Sequence, residues 1–290
     1  MGRHTSNRID ALLLSASPLA IGSLIAAGIR NSSYLAQIVS ASYLLTASDV
    51  VIQSTGSVIL GGLVVLALFW LLKKSGYRGR LLMTALLVSP LLAFTSIFIG
   101  QLMLLILFQG STGILQGIVM LVSVGVAMLT VVLVVADAIP QRWKNVFVGF
   151  YGAVFGTFMG VSVVGQSAVS VIIALAVLDL TLTRSSPEVG SLSLLDSLES
   201  DPFEYTRIES ETITVGAGDF VAFSLISSHA LVFYPYFVWA MSMLLALVGM
   251  YVNSVLLSHR SGMLPSIPVP GLLAVFPIIV HMSSLFYLTI

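Results

Sequence analysis

The chain contains no cysteine and very few charged side chains. The absence of cysteine excludes thiol catalysis, disulfide bonds and cysteine-based metal sites. Charged residues make up 8% of the sequence, whereas soluble domains carry roughly 25%, so too little polar material is present to cover a water-facing surface. The net charge is zero and no basic cluster stands out, so the sequence predicts no nucleic-acid partner. The scattered histidines, His4, His229, His259 and His281, predict no metal site, and we expect no cofactor.

What the chain has in abundance is apolar sequence. Hydrophobic residues make up 58% of it, and the mean hydropathy is +1.07. A membrane-spanning helix needs about 20 residues to cross about 30 Å of hydrocarbon. The predicted spans are Ala11–Gly28, Val50–Leu72, Leu81–Phe108, Ile114–Ala138, Val146–Val163, Ser167–Thr183, about Ile213–Tyr234, Tyr236–Leu257 and a ninth from beyond Gly271 to the C-terminus. We therefore expect an all-α polytopic membrane protein with nine transmembrane helices, the first of them retained although it has features of a signal peptide.

The distribution of positive charge predicts the orientation of these spans. If the N-terminus is cytoplasmic, every Lys and Arg except Arg30 falls on the cytoplasmic side, as the positive-inside rule requires. The chain then divides into six spans (1–183), an acid-rich loop (184–212) and three spans (213–290). We expect the loop and the N-terminus in the cytoplasm, the C-terminus outside, and the cell membrane as the location.

Two acids interrupt the apolar runs. Asp219 follows Gly216-Ala217-Gly218 at the start of the seventh span, and Asp179 lies near the end of the sixth. An ionised carboxylate in hydrocarbon costs several kcal/mol or more, so an intramembrane acid is first of all a functional candidate. Glycine carries no Cβ, which lets backbone or a bound peptide come close to where Asp219 projects.

The positions of the two acids predict that they face each other. Each lies five residues from the polar loop, Asp179 before Arg184 and Asp219 after Thr214, so a helix places each about 7–8 Å below the boundary. Two carboxylates at close range do not easily ionise together, so one keeps a proton near neutral pH. Such a pair supplies a general base to activate water and a general acid to protonate a carbonyl, which is the chemistry of aspartic proteases.

The order of these features resembles the presenilin and signal peptide peptidase family of intramembrane aspartyl proteases. An Asp ends span six, a polar loop follows, Gly216-Ala217-Gly218-Asp219 (a GxGD motif) opens span seven, and a Pro-rich turn precedes span nine. The run from Gly216 to Ser224 is close to presenilin's own, and the chain is similar to an archaeal presenilin-like member. The family's Tyr-Asp is here Leu178-Asp179, and its Pro-Ala-Leu is here Pro265-Ser266-Ile267. The motif match runs from about Val171 to Gly271.

The resemblance implies a presenilin-like fold in which Asp179 and Asp219 hydrolyse transmembrane segments of other proteins within the lipid bilayer. It implies substrate contacts in three places: the residue before Asp179, the three residues before Asp219, and the Pro-rich turn. These residues are Leu178, Gly216, Ala217, Gly218, Leu264, Pro265, Ser266 and Ile267. The loop can supply strands that pair with an unwound substrate, and the β-branched run Thr212–Val215 fits that role. The resemblance leaves any need for partner subunits open.

Other interpretations stay open at the level of sequence. Asp179 and Asp219 would also suit a cation- or proton-coupled transporter, although the first half shows no second acid-bearing, Gly- or Pro-interrupted segment. A prepilin-peptidase-like enzyme also uses GxGD but cuts a cytoplasmic leader. Asp137, near the end of span four, is a competing acid that lacks flanking glycines, and we interpret it as a helix-end carboxylate.

Overall fold

The computed structural model describes residues 2–32, 48, 51, 52, 55, 56, 59, 77–108, 113–136, 138–163, 165–185, 207–209, 214–253 and 266–288. These residues form eight helices and one two-stranded sheet. The helices are α1 (Gly2–Arg30), α2 (Tyr77–Phe108), α3 (Gly113–Val135), α4 (Gln141–Ser162), α5 (Gly165–Ser185), α6 (Ala217–Phe233), α7 (Tyr236–Tyr251) and α8 (Pro268–Leu288). The strands are β1 (Arg207–Glu209) and β2 (Thr214–Gly216). The predicted second span, Val50–Leu72, lies almost wholly outside the described residues, so the count of nine helices stays a prediction.

The described helices confirm an all-α membrane protein. Four of them contain stretches long and apolar enough to cross a bilayer, and four contain shorter apolar stretches. The long stretches are Leu12–Arg30, Thr84–Phe108, Gly113–Val135 and Arg142–Ser162, and the shorter ones are Ser167–Thr181, Ala217–Phe233, Tyr236–Tyr251 and Pro268–Ser284. Large apolar side chains on α3, such as Ile114 and Leu121, are exposed on the outside of the bundle, where lipid takes the place of water.

The helix α6 lies at the centre of the packing, between α1 and α4. It is apolar on all sides, which is typical of a buried helix, and nearly every side chain from Phe220 to Val232 is buried. Two of its polar side chains bond to the backbone of neighbouring helices. The Ser224 hydroxyl donates to the Pro18 carbonyl of α1 at 2.8 Å, and His229 Nδ1 lies 2.8 Å from the Gly160 carbonyl of α4.

Glycines on α4 allow α6 to come this close. A Cβ on Gly152 would lie 2.8 Å from Phe220 Cβ, and one on Gly156 or Gly160 would overlap the backbone or side chains of α6. Small residues of this kind are expected at closely packed membrane helix interfaces.

Most helix starts differ from the predicted span starts. The α1 helix begins at Gly2 instead of Ala11, and the α2 helix begins at Tyr77 instead of Leu81. The α6 helix begins at Ala217 instead of Ile213, because the β-branched residues Thr214 and Val215 are extended in β2. The α4 helix begins at Gln141 instead of Val146, because the Pro140 carbonyl accepts the first backbone N–H bonds of the helix. The α8 helix begins at Pro268, since proline is tolerated in a first helical turn.

The last two helices pack closely enough to fix the start of α8. A Cβ on Gly249 of α7 would lie 2.5 Å from Pro270 Cα, and the Ser242 hydroxyl of α7 donates to the Ala274 carbonyl at 2.6 Å. The first two turns of α8 are thereby held against α7.

Candidate active site

Asp219 lies in the first turn of α6, where the preceding strand turns into helix. Gly216 is the N-cap residue and is extended (φ −72°, ψ 151°), so β2 runs into the helix without a loop. The carboxylate of Asp219 reaches back to accept a hydrogen bond from the Gly216 backbone. An acid three residues after the N-cap commonly caps a helix in this way, and the positive end of the helix dipole favours negative charge there.

Asp179 approaches from the C-terminal part of α5 and is half-buried. Its Oδ2 accepts a hydrogen bond from the Ile267 backbone N–H at 2.9 Å. The same oxygen lies 3.5 Å from the Ser266 hydroxyl, which also donates to Asp219 Oδ1 at 2.5 Å. One hydroxyl therefore lies between the two acids, and the two carboxylate oxygens cannot be farther apart than the sum of these two distances.

The side chain of Ile267 holds the turn in place. It is 5% exposed and packs against Ala176 of α5 and Ala222 of α6. Ala176 precedes Asp179 by one helical turn, and Ala222 follows Asp219 by one turn. A single isoleucine thus wedges between the two acid-bearing helices just beside the acids, which couples their spacing to the position of the turn.

No protein-family profile and no curated protein matches the chain. Among solved structures, a presenilin family intramembrane aspartate protease has a TM-score of 0.58 to this chain at 18% sequence identity. The match covers 95% of this chain and 98% of that one. The chain has the presenilin fold. Because the match extends over nearly the whole chain, it also takes in the N-terminal helices, for which the sequence motifs gave no specific indication.

The presenilin fold of this chain includes a small hairpin beside the acids. The strands pair antiparallel, with Ile208 opposite Val215, and both side chains are buried. Both belong to the same apolar cluster as Phe220 of α6. Since β2 continues directly into α6, the hairpin lies within a few residues of Asp219. The predicted strand at Thr212–Val215 is confirmed for Thr214 and Val215, and its first two residues lie outside the described part.

The remaining predicted site residues differ in exposure, and some lie outside the described part of the chain. Gly218 is exposed, and a Cβ on it would meet nothing within 4 Å. Leu178 and Ala217 are half-buried. Leu264 and Pro265 lie outside the described residues, as does the competing acid Asp137. Within the described part of the chain, no group of three or more His, Cys, Asp or Glu side chains is placed to hold a metal ion.

Sequence reasoning missed the contact between the turn and the acids. It treated Ser266 and Ile267 as substrate contacts that alter the family's Pro-Ala-Leu motif. In the structure both residues bond to the acids themselves. The Ser266 hydroxyl donates to Asp219, and the Ile267 backbone N–H donates to Asp179. The only signal in the sequence was a hydroxyl-bearing residue in the place of the family's alanine.

Proposed function

We propose that this protein is an intramembrane aspartyl protease that cuts peptide bonds within or near transmembrane segments of other membrane proteins. The observation that carries the proposal is the convergence of Asp179 and Asp219 on the Ser266 hydroxyl. Two carboxylates that share one bridging donor, in a fold of this family, fit the acid–base pair that peptide hydrolysis requires.

The chemistry uses a pair that carries one proton. The ionised carboxylate takes a proton from a water molecule as the water oxygen adds to the peptide carbonyl carbon, and the protonated carboxyl gives its proton to the carbonyl oxygen. The resulting gem-diol then returns a proton to one carboxylate while the other carboxyl protonates the amide nitrogen. The C–N bond breaks, and the pair ends with one proton, as it began.

The substrate approaches from the side of Gly218 and the hairpin. An exposed glycine next to Asp219 leaves room for an extended peptide backbone. Pairing of that backbone with a strand of the hairpin is β-augmentation, in which main-chain hydrogen bonds hold the segment and side chains select it. The proposed partners are thus single transmembrane segments. Ile267 acts by holding the turn, since its own side chain is buried.

The proposed function is tested by incubating the purified protein in lipid vesicles with a single-span peptide. We expect two fragments whose new termini, located by mass spectrometry, lie within or near the span. An aspartyl-protease inhibitor with a transition-state hydroxyl should block their formation. Movement of protons or cations across the vesicle with the peptide left intact would instead establish the transporter alternative and remove the proposal.

Gly218 provides a test of how close the substrate comes. We expect Gly218→Leu to lower the cleavage rate by about ten- to a hundredfold, because the new side chain displaces the peptide from the acids. Thermal stability should hardly change, since a Cβ there meets open space. The measurement is the rate of peptide cleavage together with the melting temperature of each variant.

Gly117 of α3 is the matched control for Gly218, because a Cβ on it also meets nothing within 4 Å. Gly117→Leu should keep both activity and stability. Gly160→Leu is a different case, because its side chain would overlap α6 and lower the melting temperature by overpacking. Equal activity losses in the Gly218 and Gly117 variants would show that the motif glycine has no special part in substrate binding.

The proposed orientation places the N-terminus and the 184–212 loop in the cytoplasm and the C-terminus outside the cell membrane. Arg30 was the exception to the positive-inside pattern, and the structure gives it a local role. Its guanidinium donates to the Leu231 and Tyr234 carbonyls at the end of α6 and lies 3.9 Å above the Tyr236 ring. Arg30 therefore has a structural reason to lie on the non-cytoplasmic side, because it binds the last carbonyls of α6. With that exception explained, the positive-inside pattern supports the proposed orientation.

A further inference from the structure

We propose that Ser266 is a positioning residue of the aspartate pair, whose hydroxyl bridges Asp179 and Asp219 and stabilises the state of the pair that carries one proton. This inference rests on the proposed function and adds a residue to it. The resemblance assigned this position to substrate docking, and in the family's Pro-Ala-Leu motif it is an alanine without a hydroxyl.

The two hydrogen-bond donors of the turn, the Ser266 hydroxyl and the Ile267 N–H, contact the acids differently. Ser266 Oγ is 2.5 Å from Asp219 Oδ1 and 3.5 Å from Asp179 Oδ2. The backbone N–H of Ile267 donates to Asp179 Oδ2 at 2.9 Å. Both contacts to Asp179 therefore involve the same oxygen, Oδ2, so within the described part of the turn Ser266 links the two acids and Ile267 binds Asp179 alone.

The hydroxyl is held in position by the residues that follow it in the chain. The adjoining Ile267 is wedged between α5 and α6, and its carbonyl accepts the Gly271 N–H at 2.8 Å as α8 begins. Pro268 and Pro270 restrict the backbone further, and Pro270 packs closely against Gly249. Ser266 thus has little freedom to leave the acids, so its hydroxyl acts as a built part of the site.

A hydroxyl suits a pair with one proton better than either a pure donor or a pure acceptor. It has one hydrogen to donate and two lone pairs to accept with. It can therefore donate to the ionised carboxylate and accept from the protonated one at the same time. When both carboxyls are protonated, the donated bond loses its charge assistance, and bonds to charged groups are the stronger kind.

Among the described residues, the ionisable groups that face the hydroxyl are Asp179 from α5 and Asp219 from α6. The other charged or histidine side chains described on the elements packed around the pair are Arg30 of α1, Arg142 and Lys144 of α4, His229 of α6, His281 of α8 and Arg207 of β1. These groups are the same in every Ser266 variant, so a change in pH dependence between variants reports the hydroxyl.

The test compares Ser266→Ala, which removes the hydroxyl, with Ser266→Thr, which keeps it. We expect Ser266→Ala to lower kcat about tenfold, with KM changed by less than about twofold, because the lost bond acts on the acids and not on substrate binding. The acidic limb of its pH–kcat profile should move to higher pH, since the ionised pair has lost a donor. Ser266→Thr should restore most of kcat and the position of that limb.

Ser284→Ala is the control, because Ser284 is an exposed serine of α8 whose hydroxyl bonds only locally to the His281 carbonyl. It should leave kcat and the pH profile unchanged. An unchanged kcat and pH profile in Ser266→Ala would overturn the proposal. So would a loss confined to KM, or a folded Ser266→Thr variant that binds the transition-state inhibitor but is no more active than Ser266→Ala.

A second readout does not depend on proteolysis. Infrared difference spectroscopy follows the protonated-carboxyl C=O band against pH, and the part of the band lost in Asp179→Asn and Asp219→Asn belongs to the pair. A displaced titration of that part in Ser266→Ala, restored in Ser266→Thr, supports the bridge even if the wild type cuts no peptide. An undisplaced titration overturns it, whether or not the protein proves to be a protease.

Discussion

Replacing either acid, as Asp179→Asn or Asp219→Asn, should abolish peptide cleavage while the protein remains folded. Asparagine has nearly the same shape, and its carbonyl oxygen still accepts the bond from Ser266 or Ile267 that each acid accepts now. It cannot take a proton from water or give one to a carbonyl. General acid–base catalysis contributes about 10²–10⁴-fold for a positioned group, so we expect a rate reduction of at least that size in each variant.

The measurement is the rate of single-span peptide cleavage, with the melting temperature as a check on folding. Asp137→Asn is the control, because the sequence offers it as a third acid near a span end, and we expect it to remain active. The double variant should be no worse than either single one, because the two acids act as one unit. Near-normal cleavage by either folded single variant would show that the pair is not the catalytic centre.

The helices could largely be predicted, because each is a long apolar run between polar or proline-rich segments. The start of α6 could not. Thr214 and Val215 are as apolar on average as a span's first turn, so hydropathy alone does not distinguish a buried strand from a helix. The β-branched run Thr212–Val215 did indicate a strand there, whereas the opposite strand was missed. Arg207-Ile208-Glu209 has the alternation of a half-buried strand but is too short for the pattern to be recognised.

The candidate site also has a part that could be predicted from the sequence and a part that could not. The closeness of Asp179 and Asp219 was predicted from their equal separation in sequence from the two ends of one loop. The helical depth assumed for Asp219 was wrong, because Thr214–Gly216 are extended in β2. The Ser266 contacts join residues that are 47 and 87 positions apart in sequence. They depend on where the turn docks, and this is decided by the fit of Ile267 between Ala176 and Ala222, which no local pattern encodes.

The dependence of cleavage on pH should be bell-shaped. Two carboxylates bridged by one hydroxyl repel each other when both are ionised, so the second ionisation is harder than the first and a pH range exists in which the pair holds one proton. Below that range no carboxylate is free to act as the base, and above it no carboxyl is left to act as the acid. On each side, activity should fall by about tenfold for each pH unit, as expected for one essential proton.

We would measure kcat from acid to strongly alkaline pH in vesicles whose lipid does not titrate, together with the melting temperature at each pH. The folded range must be wider than the active range for the two limbs to report catalysis. Inhibitor binding gives an independent profile, since a transition-state hydroxyl should bind the pair best when it holds one proton and should bind both asparagine variants weakly. An isolated relay acid in a transporter has no requirement for a neighbour's proton. Activity that stays flat on the alkaline side while the protein remains folded would therefore show that Asp179 and Asp219 do not work as a pair.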